Sequence, residues 1–110
     1  ELAATALVRD HGRMEFSFSN PLWRWDKRRE LWTFVSLSED ASDKIAAATE
    51  RFTHGFGSVR VEATVGGSTW RTSIFPSDDA YILPIKKAVR EAEGLELDAP
   101  VVGKVRLVDL

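Results

Sequence analysis

Lys86 and Lys87 stand side by side just after Pro84, at the head of a run with helical spacing. Proline suits the first position of a helix, where its missing N–H would have no partner in any case. The next N–H groups are free at that end, so a helix starting at Pro84 aims donors and two ammonium groups at one place. Cations sit badly at the positive end of a helix dipole, and such local conflicts tend to mark sites. Tyr81 lies just upstream and offers a hydroxyl and an apolar ring for the mouth of a pocket. Arg71 joins them if the hairpin that carries it packs beside the helix. The chemistry expected of Lys86, Lys87, Tyr81 and Arg71 is therefore the binding of an anion, a phosphate or a carboxylate. The plainer alternative is a solvated basic face on an amphipathic helix.

A second constellation is aromatic. Trp23, Trp25 and Trp32 are interleaved with Arg24, Lys27, Arg28 and Arg29, the residue types with which small barrels stack single-stranded nucleic acid. Trp23 and Trp25 are two apart and share a strand face, which is also the spacing of core residues. A tryptophan buries a large area, and the chain carries a net charge of −2. The reading preferred here places these indoles in the core.

Catalytic groups do not converge. His11 and His54 are far apart in the chain and lack the spacing of a metal pair. No serine sits in a nucleophile elbow. Gly55-Phe56-Gly57 precedes a strand rather than a helix, so it is not a dinucleotide loop. Asp78-Asp79 stands in a turn, where Asp is favoured for local hydrogen bonding. The chain reads as non-enzymatic, without a metal or other cofactor.

The elements that must hold these residues centre on Gly55 to Leu95. Val59, Val61, Ala63 and Val65 alternate with Arg60, Glu62 and Thr64, the period of a half-buried strand. Gly66-Gly67 supplies a tight hairpin turn. Counting outward sets Val65 opposite Ser68, Ala63 opposite Trp70, Val61 opposite Thr72 and Val59 opposite Ile74. On the other face Glu62 meets Arg71 as an ion pair, and Trp70 is expected to be largely buried against the small Ala63. Upstream, Met14 to Ser19 is a strand ended by Asn20-Pro21, and Leu22 to Trp25 and Leu31 to Leu37 are two more, joined by the charged loop 26–30. The last is apolar on both sides, as a barrel wall is. Ser38 caps a helix whose stripe is Ala41, Ile45, Ala48 and Phe52 and whose stop is Gly55. Ile85, Ala88, Val89 and Ala92 form the stripe of the second helix, closed by Gly94, and Val101 to Leu107 is the final strand.

Six or seven short strands and two short helices in 110 residues give a mainly β fold, for which a closed barrel hides the edges of strands apolar on both faces. Residues 1–13 read as an N-terminal extension, with Met14 a natural start, and residues 14–110 as a single β-barrel domain. No cysteine is present, which removes disulfides and thiolate chemistry and suits a reducing cytoplasm. No apolar run is long enough to span a membrane, and the first residues lack the order of a secretion signal.

Trp70-Arg71-Thr72-Ser73-Ile74-Phe75-Pro76 and Tyr81 to Arg90, with Met14-Glu15-Phe16, Trp32-Thr33-Phe34-Val35 and Gly55 to Val59, resemble a bacterial family of small β-barrel domains catalogued as a domain of unknown function. The resemblance covers about residues 14–108 and implies an architecture like the double-split barrel of AbrB and MazE-like proteins. It assigns no activity, cofactor or catalytic residue. Ile82 to Leu95 also resembles the swapped-hairpin pattern of AbrB-type DNA-binding and antitoxin domains, but departs from it at Asp98-Ala99-Pro100, where that pattern continues Gly-Asp. The function expected first is a binding or interaction module for a small molecule or a protein partner. A DNA-binding regulator or antitoxin-like protein comes second, and a small enzyme third.

Overall fold

The computed structural model describes residues 14–25, 32–49 and 57–108. In chain order these form β1 (Glu15–Trp25), β2 (Trp32–Ser36), α1 (Glu39–Thr49), β3 (Val59–Val65), β4 (Ser68–Ser77), β5 (Ala80–Ile85), α2 (Lys87–Glu93) and β6 (Pro100–Leu107). The extension 1–13, both histidines, the loop 26–30, Leu31 and the stretch from Phe52 to Phe56 lie outside the described residues.

Alternation in β3 decides the packing. Val59, Val61, Ala63 and Val65 are buried, and the strand pairs with β4 in the register counted from the sequence, from Val59 opposite Ile74 to Val65 opposite Ser68. Gly66 takes φ 56° at the turn, a conformation that costs a side-chain-bearing residue steric strain. On its other side β3 pairs with β6, which also pairs with β1. The strands thus close as β1-β2-β5-β4-β3-β6, all pairs antiparallel. The core inside includes Phe18, Leu22, Val35, Val61, Ile74, Leu83, Val101 and Val105. The expected small closed barrel with two helices is what the chain forms. Gly103 lies opposite Phe18, and a Cβ there would run into the Phe18 ring and the Thr64 carbonyl.

Two expectations about proline are corrected. Asn20-Pro21 does not end the first strand. β1 runs through Pro21, pairing with β6 up to that residue and with β2 from Leu22 onward. The strand changes partner there, so the N–H that proline lacks is not missed. Pro84 does not begin a helix either. It is a strand residue opposite Phe34, and Ile85, expected on the helix stripe, is buried in the barrel core. Sheet pairing on β2 has overridden the local helix-start preference.

Pro84 has a further consequence. β4 and β5 are paired only from Phe75 opposite Ile82 to Ser77 opposite Ala80. Two steps on, Ser73 would meet Pro84, which has no N–H to give a ladder. Above Ile82 the two strands part.

The helices cover the wall on either side of this split. Ser38 caps α1 as expected, its Oγ accepting the Ala41 N–H at 3.0 Å. Ala41, Ser42, Ile45 and Thr49 are buried, and Ser42 Oγ accepts the Tyr81 N–H at 2.9 Å. In α2 Lys86 is an N-cap in extended conformation without a side-chain cap, and Gly94 closes the helix at φ 63°. Of the expected stripe residues that do lie in the helix only Val89 is buried, while Ala88 and Ala92 are exposed. The helix is held instead from its last turn: Glu93 accepts hydrogen bonds from Ser68 Oγ at 2.6 Å and from the Gly67 N–H at 3.3 Å.

Candidate functional site

Antiparallel pairing puts opposite residues on one face, so Trp23 with Phe34 and Trp25 with Trp32 share the outside of β1 and β2. Phe34 is the floor. Trp23 lies over it with ring centroids 5.1 Å apart and Trp25 tilts against it at 5.9 Å. Trp23 is fixed by its indole N–H, which donates to Ser36 Oγ at 3.0 Å. Ile82 and Pro84 of β5 continue the surface, and Thr72, Ser73, Phe75, Pro76 and Ser77 of β4 wall it, with Arg60 on the β3 margin. The result is an aromatic bay of about 830 Å³. Trp25, Trp32 and Phe75 are 39%, 43% and 41% exposed.

A second bay of about 340 Å³ lies further along the split, sharing Trp32, Phe34, Thr72 and Pro84 with the first. Its walls add Trp70 and Arg71 from β4 and Ile85, Lys86, Lys87 and Arg90 from the start of α2. Arg90 is oriented from inside the barrel: its Nη1 donates to Thr33 Oγ1 at 3.0 Å, and that buried hydroxyl donates to the Ile85 carbonyl at 2.7 Å. The bays form one cleft, aromatic at one end and cationic at the other.

Most of the cations in this cleft have no carboxylate partner among the described residues. The expected Glu62–Arg71 ion pair does not form, although the two residues do lie opposite each other. Glu62 also faces Arg106 across β3–β6, and Arg106 takes it at 2.8 Å. That hydrogen bond holds the Glu62 carboxyl below the usual carboxylate range, with the charges of Arg106, Arg71 and Lys104 adding to the effect. Among the described residues no carboxylate pairs with Arg60, Arg71, Lys86 or Arg90, and Lys87 reaches only Glu91 at 3.9 Å. No Asp or Glu among the described residues lines either bay.

Of the residues singled out in sequence, the fold brings Arg71, Lys86 and Lys87 together and leaves Tyr81 elsewhere. Tyr81 is buried and borders a separate hollow with Ser42, Asp43, Asp78 and Asp79. It faces that way because residues alternate along β5: Tyr81 packs in the core with Leu83 and Ile85, while Ile82 and Pro84 line the bay. The tryptophans are a correction too, since no indole is among the buried core residues. Trp23 and Trp25 share a face as their spacing requires, but that face is the outer one. Trp70 does pack on the core from opposite Ala63, yet it is only half-buried because the split opens beside it. Arg90 and Arg60 were not singled out: each follows a valine in a strand-like or helical pattern and reads as a solvated position.

Residues 18–105 match the family described as "Domain of unknown function (DUF1905)", and the chain belongs to that family. A comparison with curated proteins finds no match.

Proposed function

We propose that this domain is a non-enzymatic binding module whose cleft takes an anion carrying a flat apolar group. The observation that supports it is the joining of the two bays: exposed rings on one side, a cluster of cations on the other, and among the described residues no carboxylate in the lining. Concave sites of this size with a mostly apolar lining and a few convergent polar groups are the usual form of a ligand pocket. Among the described residues neither bay has a carboxylate or an imidazole in its lining to take a proton from a substrate, and the groups present there are of the kind that orient a ligand. The lack of cysteine suits work in a reducing cytoplasm.

The probe is 1-naphthyl phosphate, followed by calorimetry, with 1-naphthol and inorganic phosphate as its two halves. The intact compound should bind more tightly than either half. A hydrogen bond to a charged group contributes about 1.5–3 kcal/mol, so Arg71→Ala should weaken binding roughly 10- to 100-fold. Equal binding of 1-naphthol and its phosphate would remove the anion from the proposal. Release of fluorescent naphthol during the titration would show turnover and end the non-enzymatic reading.

A further inference from the structure

We infer that the ligand of this cleft is a single-stranded nucleic acid, with bases stacked in the aromatic bay and successive phosphates on the cations. The inference rests on the binding reading above and names its ligand class. One small monoanion needs one or two cations, whereas Arg71, Lys86, Lys87 and Arg90 line one bay and Arg60 borders the other. Such a row fits a polyanion. The rings then select among polyanions. Trp25, Trp32 and Phe75 are left exposed beside the stacked Trp23–Phe34 pair, and a chain that alternates flat rings with negative charges matches both features at once. Base-on-aromatic stacking tolerates any base, since each has a π face. Thr72, Ser73 and Ser77 along the β4 wall add hydroxyls for base edges or sugar. A duplex keeps its bases stacked on one another and has none to offer the rings.

The net charge of −2 is not an obstacle, because it is an average over the chain, and five of its acidic residues are placed outside the lining of the cleft. Glu39 and Asp40 are in the first turn of α1, and Asp43, Asp78 and Asp79 border the hollow beside Tyr81.

Fluorescence anisotropy with labelled oligothymidylate and oligouridylate tests this, with a duplex of mixed sequence as control, between about 50 and 200 mM salt. Both strands should bind and the duplex should not compete, the two arms showing whether the sugar matters. The logarithm of affinity should fall with the logarithm of salt by roughly 0.7 per phosphate held, and Arg71→Ala should reduce that slope by about one such step. Trp25→Ala and Trp32→Ala should weaken binding roughly 5- to 150-fold, the range of one lost stacking contact, and leave the slope alone. Lys44→Ala on α1, outside the cleft and paired with Asp40, should change nothing. These aromatics are at the surface, so their variants keep the fold, which circular dichroism checks. Binding of the duplex as tightly as the strands, or cleft variants that bind like the parent, overturns the inference. If naphthyl phosphate binds and no oligonucleotide does, the nucleic-acid identity falls and the binding module stands. A Glu-Tyr copolymer that binds where oligonucleotides fail moves the polyanion to a protein partner. If no probe binds, both readings fall.

Discussion

Glu93 is the clamp that sets the cationic half of the cleft, and the turn it grips gives a way to measure it. Gly66 has φ 56°, and a Cβ built on it would overlap the Glu93 carboxylate, reaching Cδ at 2.9 Å. Gly66→Ala therefore has two costs. A left-handed conformation strains an L-residue by about 1–2 kcal/mol. The methyl also displaces the carboxylate from Ser68 and Gly67, held at 2.6 and 3.3 Å. Charged hydrogen bonds contribute about 1.5–3 kcal/mol, and the partial exposure and the long second bond put this pair at roughly 1–2 kcal/mol. Glu93→Ala alone should lose that amount, and Gly66→Ala roughly 2–4 kcal/mol in all. In the Glu93→Ala background the glycine substitution should cost only its backbone part. The coupling in a double-mutant cycle, read by urea unfolding, should then be about 1–2 kcal/mol, well above the roughly 0.3–0.5 kcal/mol scatter of independent sites. Additive costs would refute the clamp. Each single variant should also weaken naphthyl phosphate binding, because α2 carries Lys87 and Arg90 and is tethered at its far end through Glu93.

Gly103→Ala should lower stability by about 1–3 kcal/mol or more, as overpacking does, since the new methyl would meet Phe18 Cζ at 2.8 Å, Val65 Cγ2 at 2.9 Å and a Thr64 carbonyl that cannot swing aside. A thermal melt unchanged from the parent would contradict the close approach of β6 to β3. Glu62, with its carboxyl held below the usual range by Arg106, keeps its charge more readily folded than unfolded. Its contribution is complete above the ordinary carboxylate value and is lost as pH falls through the lower folded one. The stability gap between the parent and Glu62→Gln should therefore be steady near neutrality and close below about pH 4. A gap independent of pH would show that the carboxylate charge is not what matters.

The parts of the fold visible in sequence are those fixed by local rules. Alternation in β3 and the Gly66-Gly67 turn determine the β3–β4 register residue by residue, because a two-residue loop leaves no freedom in the count. Ser38 marks the start of α1 for the same kind of reason, as its Oγ has a backbone N–H within a few residues to accept. The two prolines mislead in sequence because their meaning depends on partners far along the chain. Pro21 sits where β1 leaves β6 for β2, and Pro84 where β5 leaves β4. A proline at a change of partner looks, in sequence, like a strand end or a helix start.

The cleft was half visible for a related reason. In sequence Lys86 and Lys87 point to a site through a helix beginning at Pro84, with Arg71 joining if its hairpin packs alongside, and the three converge although the helix begins only at Lys87. What gathers them is the parting of β4 from β5 with α2 clamped across the gap. Whether Arg71 keeps its charge free was decided by β6, since closing the barrel gives Glu62 a second arginine to choose. Hairpin register alone predicts the wrong pair. The same closure makes the net charge a poor guide to partners: it places carboxylates on α1 and at the β4–β5 turn, while the charged residues lining the cleft are, among those described, all cations. An average over the chain cannot see a separation that exists only once the strands have closed, so binding by this domain has to be judged on the face where β4 and β5 part.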